Sequence, residues 1–162
     1  MVDWNYTGPK ETVATFNKHE NNKDTLIFDA GCGTGLVGVE LKKYGFKNFH
    51  GADLSQTLLD TVPKDLYQKL VKVDLNQPIE AEDNFYGGVM CVGTFTFGHV
   101  KPNALDEFIR ITKPGGLICF TINEGIHEEY GFDKKIDILI DNKKWEEVEF
   151  FKSDYIASKD VN

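Results

Sequence analysis

Residues 26–36, Leu26-Ile27-Phe28-Asp29-Ala30-Gly31-Cys32-Gly33-Thr34-Gly35-Leu36, decide the fold of this chain. The apolar run predicts a strand that ends in Asp29. The glycine-spaced loop then leads into a helix with Val37, Leu41 and Tyr44 on one face. Glycines let a backbone turn tightly and bring bare N–H groups against a ligand, where a Cβ would clash. At the carboxyl end of the strand, Asp29 is placed to accept from a donor-rich group such as an ammonium.

Three interpretations of this loop are open. Residues 33–38 fit the dinucleotide pattern G-x-G-x-x-G formally, which predicts an NAD-dependent oxidoreductase. The spacing Asp29-x-Gly31-x-Gly33-x-Gly35 fits better the nucleoside loop of class I S-adenosylmethionine (SAM)-dependent methyltransferases, because it starts where the strand stops. In the third interpretation the glycines serve only the geometry of a strand-to-helix turn.

Length and composition indicate one domain covering residues 1–162, with a net charge of −8. That charge argues against a protein that mainly grips phosphate backbones, so we expect no nucleic-acid partner. The apolar runs are short and charge-bounded, which predicts no membrane span. Cys32, Cys91 and Cys119 show no C-x-x-C spacing, so neither a metal site nor a disulfide is predicted. No secretory signal follows Met1, and a cytoplasmic location is expected.

Strands alternate with helices along the chain, which predicts a doubly wound parallel sheet. Pro9 predicts an early helix, and Ser55 and Asn103 are predicted N-caps. Lys113-Pro-Gly-Gly116 is a predicted turn, and residues 132–140 have helical spacing. The predicted strands after the first are residues 48–53, 70–73, 87–93, 117–122 and 145–151.

Two further carboxylates end predicted strands. Asp53 lies 24 positions after Asp29, close to the spacing of roughly 20 at which a carboxylate meets ribose hydroxyls. Asp74 follows the third strand, where it either accepts from an exocyclic amine or only stabilises a turn. Next to it, Leu75 offers an apolar wall to a purine.

Together, Asp29-x-Gly-x-Gly-x-Gly, Asp53, Asp74 and Lys113-Pro-Gly-Gly116 resemble a class I SAM-dependent methyltransferase, over roughly Thr25 to Phe151. The Lys-Pro-Gly-Gly turn is typical of that family and is not part of the dinucleotide fingerprint. More narrowly, residues 29–39, 66–70 and 111–117 are similar to the Williams–Beuren-syndrome-associated methyltransferase-like proteins.

This resemblance implies a cofactor, SAM, with S-adenosylhomocysteine as the product, and it implies a role for each matching position. The amino-acid end of SAM would lie at the loop, the ribose and adenine at the second and third strands, and the methyl group at the fourth. The implied residues, in that order, are Asp29, Gly31, Cys32 and Gly33, then Asp53, Leu54, Asp74 and Leu75, then Gly93 and Thr94.

The sequence departs from the family at both ends. Few residues precede the Pro9 helix, where relatives carry a segment that covers SAM. Lys152 to Asn162 is too polar to supply the family's seventh, antiparallel strand. We therefore expect an α/β fold with a Rossmann-like, mostly parallel sheet flanked by helices, lacking that strand, in the order 3-2-1-4-5-6. An exposed sheet edge would favour a homo-oligomer.

The segment Gly93-Thr-Phe-Thr-Phe-Gly98 lacks the (Asn/Asp)-Pro-Pro-aromatic signature of methyltransferases that act on amino groups of bases or amides. A small-molecule acceptor, or else a protein, is therefore expected. Phe95 and Phe97 could line the base of an apolar pocket for the acceptor, although we expect at least one of them to pack in the core instead. His99 is the candidate catalytic base, because an imidazole titrates near neutrality. The alternative is a domain that binds SAM or S-adenosylhomocysteine without turnover.

Overall fold

A five-stranded, wholly parallel sheet forms the centre of the computed structural model, which describes residues 8–95, 100–123 and 127–149. Its order is β3-β2-β1-β4-β5. The strands are β1 Ile27–Ala30, β2 Phe49–Asp53, β3 Lys69–Lys72, β4 Tyr86–Phe95 and β5 Thr112–Ile122. The helices are α1 Gly8–His19, α2 Leu36–Lys43, α3 Gln56–Leu59, α4 Ala104–Ile111 and α5 Phe132–Asp141. The predicted α/β class and the order of the first five strands are confirmed.

Both faces of the sheet are covered, as the apolar β1 strand requires. All four β1 residues are buried, and successive side chains enter opposite cores. Ile27 packs in a cluster with Phe16 of α1 and Leu41 of α2. Phe28 packs in the other cluster, which contains Phe108 of α4. This alternation produces a sheet with helices on each side.

The strand order reverses at β1, which pairs with β2 on one side and with β4 on the other. Asp29 lies opposite Gly51 of β2 and Met90 of β4. In open parallel sheets, ligands bind in the crevice beyond the carboxyl ends of the strands at such a reversal. The glycine loop after β1 therefore begins at the place where this architecture forms a binding crevice.

Two predicted N-caps have different outcomes. The Ser55 hydroxyl accepts a hydrogen bond from the Leu58 backbone N–H at 3.2 Å, so this cap is confirmed. Asn103 precedes α4 as predicted, but its backbone is already in the right-handed helical region and its side chain makes no cap bond. The Asp106 backbone N–H bonds the Asn103 carbonyl instead.

The Lys113–Gly116 turn forms an excursion inside β5. Thr112 pairs with Tyr86 and Leu117 pairs with Gly88, so β5 advances five residues while β4 advances two. After this excursion the register is regular from Leu117 to Phe120. The motif therefore follows the end of α4 and brings β5 into register with β4.

The predicted strand at residues 145–151 is wrong for its described part, because residues 145–149 form no strand. The Trp145 ring stacks on Phe120, with centroids 5.8 Å apart and planes at 17°. Its Nε1 lies 3.4 Å from the Ile136 carbonyl oxygen. The indole of Trp145 therefore packs on β5 through the Phe120 side chain. The described residues thus contain neither the sixth strand of the predicted order nor an antiparallel seventh.

β5 pairs only with β4 in the part of the chain that the structure describes. We predicted self-association through an exposed sheet edge without naming the strand, and that prediction stays untested. Within the same residues, no helix is long and apolar enough to cross a membrane.

Arg110, the only arginine of the chain, ties α4 to the loop before β4. Its guanidinium donates to the carbonyl oxygens of Ile79 and Ala81, each at 2.7 Å. It also pairs with Glu107 and Asp83, each at 2.9 Å. The Glu107 carboxylate accepts in turn from the Ile79 backbone N–H at 2.8 Å. The guanidinium therefore satisfies two backbone acceptors and two carboxylates together.

We expect Arg110→Ala to lower the free energy of unfolding by about 1–3 kcal/mol, because it leaves partly buried acceptors without a donor. Urea denaturation followed by circular dichroism measures the change. Lys135→Ala is the matched control, since Lys135 makes a single ion pair, with a half-exposed Asp106, and such pairs contribute about 0–1 kcal/mol. Equal losses in the two variants would contradict the role assigned to Arg110.

Candidate functional site

Asp29 is the buried charge of the site. It ends the apolar run of β1, and its side chain is fully buried. Tyr67 donates its hydroxyl proton to Oδ2 at 2.5 Å. In the described residues, Oδ1 is the one buried side-chain polar atom that lacks a hydrogen-bond partner. A buried carboxylate oxygen without a hydrogen-bond donor destabilises the protein. A ligand that donates a hydrogen bond to Oδ1 would remove this destabilisation.

Burial changes the chemistry of this carboxyl. Loss of hydration raises the pKa of Asp29 from 3.8 to about 7; the Tyr67 hydrogen bond opposes the rise, and the nearby Asp53 charge adds to it. Burial, with the charges of Asp29 and Asp53, also raises the pKa of the Cys32 thiol. Cys32 is therefore a neutral thiol near pH 7. Its backbone N–H donates to the Ala52 carbonyl oxygen at 2.9 Å, which anchors the loop to β2.

Tyr67 was not identified as a site residue in the sequence. It lies between α3 and β3, 38 positions after Asp29, within residues 66–70, for which the family resemblance implied no site role. The signals available in the sequence were that resemblance and an aromatic residue just before a strand that ends on the ligand side. Its hydroxyl also accepts a hydrogen bond from the Gly38 backbone N–H at 3.1 Å, in the first turn of α2.

Asp53 ends β2 as predicted and supports the glycine loop from the side. Its Oδ2 accepts from the Gly33 backbone N–H at 2.8 Å, and its Oδ1 accepts from the Ser55 backbone N–H at 2.9 Å. Each carboxylate oxygen has a second lone pair, so both can still accept from a ligand hydroxyl. The structure therefore brings Asp53 together with Gly33, as the predicted site requires.

Two loop glycines are required for different reasons. Gly31 has φ +73°, and a Cβ there would lie 2.0 Å from Thr94 Oγ1. Gly33 has φ +57°, and a Cβ there would meet no atom within 4 Å. Gly31 is thus fixed by close packing against β4, whereas Gly33 faces open space. That space is where a bound molecule would touch the backbone.

The predicted methyl-side residues lie at the end of β4. Thr94 packs against Gly31, with its Oγ1 3.5 Å from the Gly31 carbonyl oxygen. The Gly93 backbone N–H donates to Thr121 Oγ1 of β5 at 2.9 Å. Thr94 therefore belongs to the same crevice as Asp29 and the glycine loop.

The three residues predicted on the adenine side differ in whether their side chains are available to a ligand. Leu54 is 62% exposed directly after Asp53, so its side chain is free to cover a ligand. Asp74 is exposed, and its Oδ1 accepts from the Asn76 backbone N–H at 2.9 Å, as in the turn alternative. Leu75 is buried in the core, and only its backbone remains available to a ligand.

Two acceptor-side predictions cannot be followed in the structure, because Phe97 and His99 lie outside the described residues. Phe95 is described, and it has the core role that we predicted for at least one of the two phenylalanines. Its ring is fully buried and packs against Phe108 and Phe132, with centroids 6.1 and 4.7 Å away. No group of three or more potential metal ligands occurs in the parts of the chain described.

The family model described as "Methyltransferase domain" matches residues 28–120, from β1 through most of β5. The chain belongs to the class I SAM-dependent methyltransferases. Among curated relatives, it is 36% identical to human methyltransferase-like protein 27 over 126 residues, which cover 75% of this chain and 51% of that protein. The methyltransferase family, and not the dinucleotide-dependent oxidoreductases, accounts for the glycine loop.

Two further comparisons extend the family. The chain is 29% identical to the ubiquinone biosynthesis O-methyltransferase of Rickettsia akari over 119 residues, or 70% of this chain and 46% of that one. It superposes on a TehB-like SAM-dependent methyltransferase from Corynebacterium glutamicum with a TM-score of 0.62 and 22% identity, covering 79% of this chain and 71% of the other. At that identity, the superposition demonstrates the fold alone. The chain spans about half the length of these curated relatives.

Proposed function

We propose that this methyltransferase domain binds SAM in the crevice beyond β1 and β4 and transfers its methyl group to a small-molecule acceptor. The observation that carries the proposal is the buried, unpartnered Oδ1 of Asp29, next to a glycine loop with open space at Gly33. A ligand with an ammonium group fits the first feature, and close backbone contact fits the second.

The residues present fit SAM along its length. Asp29 would accept from the ammonium group, and the loop backbone at Gly31, Cys32 and Gly33 would line the amino-acid end. Asp53 would accept from the ribose hydroxyls, for which its two oxygens retain lone pairs. The adenine would then lie between Leu54 and the backbone at Leu75, with Asp74 near its amine, while Gly93 and Thr94 would flank the methyl group.

SAM supplies a methyl group on a positively charged sulfur, which leaves as a neutral thioether when a nucleophile attacks the carbon in line. The protein has mainly to hold nucleophile and methyl carbon close and aligned. A base is needed only for an acceptor that arrives protonated, and His99 is the residue proposed for that task. The proton of the acceptor would pass to its imidazole.

A small-molecule acceptor is supported by the ubiquinone biosynthesis O-methyltransferase among the relatives, and a protein acceptor is the alternative. The net charge of −8 supports the prediction that nucleic acid is not the substrate. We further propose that residues 1–162 act as one SAM-binding domain in the cytoplasm. The three cysteines are free, and a reducing compartment keeps cysteines in that state.

Isothermal calorimetry with SAM and with S-adenosylhomocysteine tests the proposal directly. We expect binding of both ligands, followed by methyl transfer to members of a small-molecule acceptor panel. Binding of both ligands with no transfer to small molecules or proteins would favour the domain without turnover. If NAD(H) stabilised the protein and SAM did not, the proposal would be wrong.

Asp53→Ala should weaken SAM binding by about 1–3 kcal/mol, or roughly 5- to 150-fold, because ribose hydroxyls would lose their acceptor. The same loss is expected for 5′-methylthioadenosine, which keeps the ribose but has no amino-acid end. Calorimetry with both ligands measures it. Asp24→Ala removes an exposed carboxylate that pairs with Lys47 before β1, and it should leave both affinities unchanged. Unaltered affinity in Asp53→Ala would refute the ribose assignment.

A further inference from the structure

We propose that Tyr67 is the positioning residue for the ammonium group of the cofactor. Its hydroxyl holds Oδ2 of Asp29 and thereby reserves Oδ1 for the ligand. The inference rests on the proposed SAM site and assigns a role to a residue outside the motifs that predicted that site.

The hydrogen-bond directions follow from the chemistry of the partners. The Gly38 backbone N–H can only donate, so the Tyr67 oxygen is its acceptor, at 3.1 Å. The hydroxyl proton is then free for Asp29 Oδ2, at 2.5 Å. One hydroxyl therefore connects the last part of β1 with the first turn of α2, on either side of the glycine loop. Loss of the hydroxyl would release both ends of that loop.

The Tyr67 ring is held so firmly that its hydroxyl has little freedom to move. The side chain is buried, and the ring meets Phe49 edge to face, with centroids 5.0 Å apart. A Cβ at Gly38 would lie 2.7 Å from the ring, and one at Gly51 would lie 2.9 Å from it. Glycine at these two positions lets the ring lie flat against α2 and β2, which directs the hydroxyl at Asp29.

Among the described residues, Tyr67 is the hydrogen-bonding neighbour of the Asp29 side chain. The other titratable groups that interact with it in this part of the chain are Asp53 of β2, Cys32 of the loop and Cys91 of β4. Burial raises the pKa of both thiols, which therefore stay neutral near pH 7. Asp53 repels the ionised form of Asp29, whereas the Tyr67 hydrogen bond favours it. Tyr67 thus helps to keep Asp29 charged for a cationic ligand.

The test compares two ligands in Tyr67→Phe, which keeps the ring and removes the hydroxyl. Calorimetry should show S-adenosylhomocysteine bound at least about tenfold more weakly, the cost of disturbing a charged hydrogen bond. 5′-Methylthioadenosine, which lacks the ammonium group, should bind as it does to the unmodified protein. Tyr86→Phe is the matched control, since its buried hydroxyl bonds His50 at the opposite end of the sheet. It should change neither affinity.

The pH dependence of S-adenosylhomocysteine binding provides the second readout. In Tyr67→Phe, the midpoint at which affinity rises with pH should move upward, because Asp29 loses the bond that favours its charged form. Replacement of Tyr67 by 3-fluorotyrosine, a more acidic phenol and a stronger donor, should move it downward. This second variant retains the hydroxyl and its bond to Gly38, so it tests the proposal even if Tyr67→Phe unfolds.

Two further results would contradict the role of Tyr67, and a third would contradict the proposed function. Equal weakening of both ligands in Tyr67→Phe, or an unmoved pH midpoint in both variants, would overturn the positioning role and leave Tyr67 as a packing residue. If the unmodified protein bound neither SAM nor S-adenosylhomocysteine, the proposed function itself would fail.

Discussion

Asp29→Asn should weaken SAM binding by more than about 100-fold, because an amide cannot replace the ionised partner of an ammonium group. The substitution keeps the shape of the side chain, and its carbonyl oxygen can still accept from the Tyr67 hydroxyl. We expect the folded structure to persist while the charge that recognises the ligand disappears. Calorimetry on the two proteins at pH 7.5 measures the loss.

The same substitution should change how stability depends on pH. In the unfolded chain Asp29 ionises near pH 4, but the pKa of the folded carboxyl is about 7. Between these values the folded state holds a proton that the unfolded state has lost, so ionisation of Asp29 destabilises the protein as pH rises from 4 to 7. The free energy of unfolding of Asp29→Asn, relative to the unmodified protein, should therefore rise by about 2–4 kcal/mol across this interval.

Urea denaturation between pH 4 and pH 8, without ligand, provides this measurement. Subtracting the free energy of unfolding of one protein from that of the other cancels the contributions of groups, such as His50, that titrate in both. Asp60→Asn is the matched control, because it removes an exposed carboxylate at the end of α3. It should follow the unmodified protein at every pH. A constant difference between Asp29→Asn and the unmodified protein would mean that Asp29 is ionised throughout.

Alanine at the two loop glycines should separate folding from binding. Gly33→Ala costs about 1–2 kcal/mol for its left-handed backbone, but its methyl group meets no atom. We expect a folded protein whose SAM affinity falls by roughly 5- to 150-fold, since a methyl group in ligand space costs about 1–3 kcal/mol. In Gly31→Ala, the left-handed strain of φ +73° adds to a clash with Thr94. A stability loss of about 2–5 kcal/mol is expected there.

Thermal unfolding and calorimetry on both variants decide between these outcomes. The double variant Gly31→Ala with Thr94→Ala removes the 2.0 Å contact with Oγ1 but keeps the Cβ of residue 94 at 3.0 Å, so it should recover part of the lost stability. Normal SAM affinity in Gly33→Ala would show that the open space at this glycine is not the ligand site.

The sequence predicted those parts of the fold that depend on local patterns. The strand ending at Asp29, the glycine loop, the Ser55 cap and the parallel order of five strands follow from apolar runs and turn chemistry. The strand predicted at residues 145–151 failed for its described part because alternation does not reveal where a large side chain finds its partner. The Trp145 ring instead stacks on Phe120 of β5.

The candidate site could be predicted only where its residues lie on motifs. Asp29 lies one residue before the end of β1 and Asp53 ends the neighbouring parallel strand β2, so topology alone brings them together. Tyr67 reaches Asp29 from a distant segment, and its approach depends on three-dimensional packing that no spacing encodes. The depth of Asp29, which raises its pKa, likewise results from helices on both faces of the sheet.

The tight fit of the Tyr67 ring against Gly38 and Gly51 restricts how this domain can evolve. Alanine at Gly38 would collide with the aromatic ring, and alanine at Gly51 would collide with both the ring and the Leu70 side chain. Gly38 therefore tolerates a side chain only after the tyrosine has been replaced, and Gly51 also requires the Leu70 side chain to move. The order in which these positions can mutate is constrained, because a side chain gained at either glycine would block the return of the tyrosine.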